Sequence, residues 1–110
     1  MANDVNSCVI IGRLTKDVEG KQTSGQNLLC QFTVAVNYSA KENGQWTDKA
    51  VFIPCKSFSA PNFVKYLKKG TQVSVVGSLR VDEWQDQNGQ KKSKMYILVD
   101  CINLLGGRNG

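Results

Sequence analysis

The 110-residue sequence has no histidine, which removes the commonest general base and the commonest metal ligand. Its four cysteines, Cys8, Cys30, Cys55 and Cys101, form no CxxC and no other short pair. Cysteine zinc sites draw on closely spaced pairs, so neither a metal nor any other cofactor is expected. Each cysteine lies in an apolar, strand-like run, which predicts buried, reduced thiols acting as small hydrophobes in a reducing cytoplasm. No basic N-terminal region leads into a long apolar stretch; the run Cys8 to Ile11 is only four residues. The expectation is a soluble intracellular protein with no secretory signal and no membrane span. P-loop, G-x-G-x-x-G, nucleophile-elbow and triad patterns are missing, so no catalytic residue and no enzyme is expected.

What is present is basic charge. Fourteen Lys and Arg against nine Asp and Glu leave a net charge of +5, which favours a polyanionic partner. The length allows one domain with a modest core, placed at residues 1–105. Residues 106–110, Gly-Gly-Arg-Asn-Gly, read as the start of a flexible Gly-rich tail.

Strand patterning dominates. Val5 to Leu14 is a first strand, with Gly12 at a bulge or a close backbone approach. Residues 15–27 read as a polar loop. Leu28 to Tyr38 alternates cleanly, with Leu28, Cys30, Phe32, Val34, Val36 and Tyr38 on one parity. Residues 39–49 form a long hairpin-like excursion with a tight turn at Asn43-Gly44. Ala50 to Phe58 resumes strand character, and Pro54 places it at an edge or bulge. Ser59 to Lys69 is the helical stretch, with Ser59 as N-cap, Pro61 in the first turn and Gly70 as its stop. Thr71 to Leu105 reads as two strands joined at residues 86–90. Five strands with a helix between the third and fourth is the layout of an all-β, Greek-key OB-fold barrel, a fold that offers one face to oligonucleotides or oligosaccharides.

Trp84 stands out within that pattern. It shares a parity with Arg80, opposite Val73, Val75 and Leu79, and the returning strand begins Lys91-Lys92-Ser93-Lys94. A flat ring on a wet, cationic hairpin suits base stacking. In the third strand Phe52, Pro54, Lys56 and Phe58 share one parity, a mixture that core faces rarely carry. The competing reading buries both phenylalanines against the helix and lets Lys56 snorkel. Phe52, Phe58 and Trp84 are the main stacking candidates, with Tyr38 and Trp46 as further platforms. Candidate phosphate contacts are Arg13, Lys41, Lys49, Lys56, Lys69, Arg80, Lys92 and Lys94. Such a surface binds single strands with little sequence preference. Asp82, Glu83 and Asp86 raise a nuclease alternative, although solvated hairpin charges explain them more simply.

At this point the sequence resembles a family. Val5-Asn6 followed by Val9-Ile10-Ile11-Gly12-Arg13-Leu14-Thr15-Lys16-Asp17 resembles the opening of bacterial-type single-stranded-DNA-binding proteins. The likeness continues through Phe32 to Asn37, Phe52 to Cys55, Tyr66 to Val73, Val76 to Arg80 and Trp84 to Gln90. It implies an OB-fold that binds and protects single-stranded DNA in replication, recombination and repair. The resemblance also implies a homotetramer, a dimer of dimers, in a nucleoid-associated cytoplasmic location. Family stacking positions fall on Phe52, Phe58 and Trp84. A fourth falls near Ser39-Ala40, where no ring stands and Tyr38 is the candidate substitute. Intersubunit contacts from the first strand would engage Asn6, Ser7, Cys8, Val9, Ile10 and Ile11. Family members commonly end in an acidic-hydrophobic tip that docks replication and repair enzymes, an expectation here only if the chain continues beyond Gly110. A protein adaptor of the primosome and an RNA-binding OB module remain the alternatives.

Overall fold

The pairing of β-branched and aromatic residues across long ladders closes this chain into a barrel. The computed structural model describes residues 4–23 and 25–106. Chain order is β1 (Cys8–Leu14), β2 (Gly20–Gln22), β3 (Leu28–Glu42), β4 (Gln45–Ser59), α1 (Pro61–Val64), β5 (Gln72–Gln85) and β6 (Lys91–Gly106). The sheet runs β1-β5-β6-β4-β3-β2, and β1 also pairs with β3, which closes the ring over the five long strands. β4 and β6 run parallel, joined only at Cys55–Ile97 and Lys56–Leu98; the other pairings are antiparallel. This is the OB-fold expected from the strand order. Among the described residues no helix is long and apolar enough to cross a membrane.

The core is the inward parity of each strand. Leu14, Cys30, Phe32, Val34, Cys55, Val73, Val75 and Ile97 are buried together with Val18, Val64 and Leu67. Gly12 is where β1 crosses onto β3, and a Cβ there would overlap the Ala35 carbonyl oxygen and Val34. That confirms the close backbone approach. Gly77 does the same for β5 against the Leu98 carbonyl, beside a shift in the β5–β6 register between Val76 and Gly77.

Several boundaries differ from the sequence reading. The stretch 39–49 is ladder rather than loop: β3 and β4 stay paired to Glu42–Gln45. Asn43 (φ 51°) and Gly44 (φ 82°) then turn the chain in the left-handed region, as a two-residue hairpin turn requires. The loop before β3 contains the short strand β2, paired with Leu28 to Cys30. Helix α1 is four residues, not eleven: Ser59 belongs to β4 opposite Leu28, and Ala60 holds the N-cap position without a side-chain cap. The helix goes no further: the next amides bond three residues back instead of four, Tyr66 N–H to the Phe63 carbonyl at 3.0 Å and Leu67 N–H to the Val64 carbonyl at 2.9 Å, and the Lys69 N–H goes to Asp17 Oδ1 at 2.8 Å. Pro54 pairs with Thr33 in register, and β6 joins β4 only from the next residue, which fits an edge-like position.

Burial of the cysteines is also only half as expected. Cys30 and Cys55 are buried, Cys8 is half-buried and Cys101 is exposed; all are free thiols. Cys101 pairs with Val76 on the parity that faces away from Val73 and Val75, so the pleat points it outward. Gly106 is the last residue of β6, opposite Gln72, so β6 takes up the first position of the expected tail. Residues 107–110 lie outside the described residues.

Candidate nucleic-acid interface

β4 carries half of the site. Cys55, Ser57 and Ser59 point into the barrel, while Phe52, Pro54, Lys56 and Phe58 take the outer face. Phe52 is 62% exposed and Phe58 57%, so the rings do not bury against the helix. Their cross-strand floor on β3 is low: Ala35 lies opposite Phe52, Thr33 opposite Pro54 and Gln31 opposite Lys56. Phe58 has Leu29 beside it.

β5 and β6 carry the other half. Arg80, Asp82 and Trp84 alternate along the outer face opposite Tyr96, Lys94 and Lys92. Trp84 is 48% exposed. The turn holding the two strands is built by Asp86, whose Oδ1 accepts the N–H groups of Asn88 and Gln90, both at 2.9 Å. Gly89 supplies the positive φ of 79°. Asp82 and its neighbour Glu83 point to opposite faces of the strand, and Asp86 caps the turn, so the three carboxylates do not converge as a nuclease site would need.

The halves meet at Lys56. Its Nζ donates to Asp82 Oδ2 at 2.5 Å and sits 4.4 Å from the centroid of the Tyr96 ring. The hydrogen bond to Asp82 raises the Lys56 pKa above the ordinary lysine value, against a smaller opposing effect of desolvation. Lys56, Asp82, Trp84, Lys94 and Tyr96 line one cleft of about 360 Å³ with Gln31 and Thr33 on its floor. Below it, burial and then the nearby Cys8 thiol push the Cys55 pKa up to about 12, so that thiol is inert.

Other predicted residues fall at varying distances from this cleft. Arg13, Ala35 and Phe52 form one cross-strand row on the outer face, and the Arg13 guanidinium donates to the Gly70 carbonyl at 2.8 Å. Trp46, 72% exposed, stands opposite Lys41 near the tip of the β3–β4 hairpin, on the parity of Phe52. Tyr38 and Lys49 oppose each other on the reverse face of that hairpin, and Lys49 is ion-paired with Glu42. Tyr38 is 49% exposed despite its core parity, because the hairpin outruns the core. Lys69 lies in the loop after α1, where its N–H donates to Asp17 Oδ1 at 2.8 Å.

The structure adds residues that the sequence reading passed over. Tyr96 shares the parity of Lys92 and Lys94, and Gln31 and Thr33 hold the polar parity of β3; alternation alone marked all three. Gln31 also lines two neighbouring depressions with Lys16 and Asp17, so the face continues across β3 toward the loop after β1.

Asn6 and Ser7 precede β1, and Cys8, Val9, Ile10 and Ile11 pair with β5. On its other side β1 meets β3 only at Arg13 and Leu14. Among the described residues, the edge from Cys8 to Gly12 therefore has no partner strand. Val9 and Ile11 on this strand are exposed.

A closed barrel with exposed rings and cations across one outer face defines an OB-fold binding module. The sequence profile of the single-strand binding protein family matches residues 5–105, and the chain belongs to that family. It is 42% identical over 104 residues to the single-stranded DNA-binding protein of Borreliella burgdorferi, covering 92% of this chain and 70% of that protein. To the single-stranded DNA-binding protein of Treponema pallidum it is 41% identical over 105 residues, covering 94% of this chain but 59% of that protein. A solved structure of a Plasmodium falciparum SSB complex with ssDNA shares the fold, with a TM-score of 0.84 over 96% of this chain and 99% of that one at 23% identity.

Proposed function

We propose that this chain binds and protects single-stranded DNA of varied sequence, without catalysis, by stacking bases on Phe52, Phe58 and Trp84. The observation that carries this reading is the exposure of those three rings on one outer face, interleaved with Lys56, Arg80, Lys92 and Lys94. An aromatic ring half open to water in a folded domain leaves apolar area uncovered, and a base covers it whatever its identity. Arg13, Lys41 and Trp46 extend the same face toward the β3–β4 hairpin. Tyr38 and Lys49 serve its reverse side, and Lys69 a separate loop. Family membership and the relatives' descriptions support the same assignment.

The chain acts as a homotetramer, a dimer of dimers, in the cytoplasm at the nucleoid, in replication, recombination and repair. Support for the assembly is the unpaired edge of β1 from Cys8, which a second β1 would complete. Docking of replication and repair enzymes is part of this proposal only for a chain that continues past Gly110. The test is titration with oligo-dT while following tryptophan emission, repeated across salt concentrations. Quenching that weakens with salt supports the reading. Absence of both quenching and a gel shift at low salt overturns it, and tighter binding to oligo-rU than to oligo-dT would redirect it to RNA.

A further inference from the structure

Lys56 stands where a phosphate contact would count most, two residues from Phe58 on β4 and in one cleft with Trp84. Its ammonium is nonetheless engaged. Asp82 Oδ2 accepts one N–H at 2.5 Å, and the centroid of the Tyr96 ring lies 4.4 Å from Nζ. The ladder offers Asp82 a different partner, because Lys94 stands directly opposite it on β6. The carboxylate instead reaches across β6 to β4, and among the described residues Lys94 has no ion pair. One carboxylate thus sits among the cations of the proposed DNA face and neutralises one of them.

We propose that Asp82 is an affinity-setting residue: it holds Lys56 off the phosphate backbone, so single-stranded DNA binds less tightly and with less salt dependence than the cations of this face would otherwise give. This rests on the single-stranded-DNA reading. A lysine adds to polyanion binding by replacing a condensed counterion. An ammonium already matched by a carboxylate brings no net charge and replaces none. A phosphate takes Lys56 only by breaking a charge-assisted hydrogen bond and then lying beside the Asp82 carboxylate left behind. The neighbouring cations meet weaker competition. Lys92 is 4.0 Å from Asp86, too far for a hydrogen bond, and Arg80 donates its Nε–H to the neutral Ser78 hydroxyl at 3.2 Å. With Lys94 they are the cations a phosphate can use on β5 and β6. Glu83, the next residue along β5, points to the opposite face and has no bearing on Lys56.

The experiment measures oligo-dT affinity across a salt series for the unaltered chain, Asp82→Asn, Asp82→Glu, Lys56→Gln, the Asp82→Asn/Lys56→Gln double variant and Glu83→Gln. Asp82→Asn should steepen the slope of log K against log salt by about 0.7, one added phosphate contact, a gain of about eightfold at ~50 mM salt that fades toward ~1 M. Asp82→Glu, which keeps the carboxylate, should steepen it far less. Lys56→Gln should leave the slope unchanged when Asp82 is present and should abolish the gain when Asp82 is replaced by Asn. Glu83→Gln makes the same change of charge on the far face and should tighten binding by less than about twofold, because salt screens it. An unchanged or weakened affinity in Asp82→Asn, a gain that survives in the double variant, or an equal gain in Glu83→Gln overturns the proposal. So does a slope flattened by about 0.7 in Lys56→Gln alone, which would place Lys56 on a phosphate already. Failure of the unaltered chain to bind any oligonucleotide at low salt would overturn the single-stranded-DNA reading instead, a result distinct from all of these.

Discussion

The side-chain amide of Asn6 makes both hydrogen bonds of a peptide group to Leu79. Its Nδ2 donates to the Leu79 carbonyl at 2.9 Å, and its Oδ1 accepts the Leu79 N–H at 2.8 Å. The β1–β5 ladder ends at Cys8–Gly77, so this carboxamide extends it by one rung without a backbone strand. Asn6 thereby fixes the approach to β1 and the direction in which its open edge is presented.

Replacing Asn6 with Ala should cost about 1–2 kcal/mol of stability, two exposed hydrogen bonds at the modest net value such bonds carry. Asn6→Asp should be no better, because a carboxylate has no donor for the Leu79 carbonyl. Urea unfolding at fixed protein concentration measures both. If the β1 edge is an assembly contact, the same variants also lower the assembled fraction in analytical ultracentrifugation.

Trp84→Ala should weaken single-stranded DNA binding by about 1–3 kcal/mol, the range for one stacked base. The ring is half exposed, so thermal unfolding should move little. Phe52→Ala and Phe58→Ala should act in the same direction, while Tyr38→Ala, on the reverse face of its hairpin, should have a smaller effect. Fluorescence anisotropy with a labelled oligonucleotide separates these outcomes.

Gly77→Ala should destabilise by about 1–3 kcal/mol through overpacking, because the added methyl meets the Leu98 backbone carbonyl rather than a movable side chain. Gly44→Ala meets no atoms there and costs only the strain of its positive φ, about 1 kcal/mol. Thermal or urea unfolding of the two variants ranks them in that order.

The buried Cys55 thiol should make the fold sensitive to alkali. Its pKa rises from 9.0 unfolded to about 12 folded, so between those values the unfolded chain releases a proton that the native state retains. Stability from this group is complete below about pH 9 and declines toward pH 12. Cys55→Ala should flatten that decline relative to the unaltered chain, measured as urea midpoints at increasing pH.

Much of the site was legible because strand parity is a local property. Phe52, Lys56 and Phe58 could be set against Cys55 without knowing what β4 packs on, and Trp84 against Val75 likewise. What parity cannot show is how far a ladder outruns its core. Tyr38 keeps the phase of Phe32 and Val34 yet is half exposed, since among the described residues the packed core reaches along β3 only as far as Val36. The helical expectation overextends for a related reason: Phe63, Val64 and Leu67 have a helical spacing, but the Lys69 N–H is claimed by Asp17, a partner 52 positions away in sequence. Lys56 reaches Asp82 across 26 positions, and no spacing rule links residues on two strands that lie either side of a third, β6.

That closure has a consequence for how the domain comes apart. β4 and β6 touch through two residue pairs, Cys55–Ile97 and Lys56–Leu98, while each is secured along a long antiparallel partner. The barrel is thus two hairpins joined on one side by this short parallel seam and on the other by β1, which pairs with both β5 and β3. A DNA strand bound as proposed, from Phe58 to Trp84, would cross that seam and fasten both flaps at once. Bound polymer should therefore slow amide exchange most at the seam, making the ligand a strap around the vessel as well as its cargo.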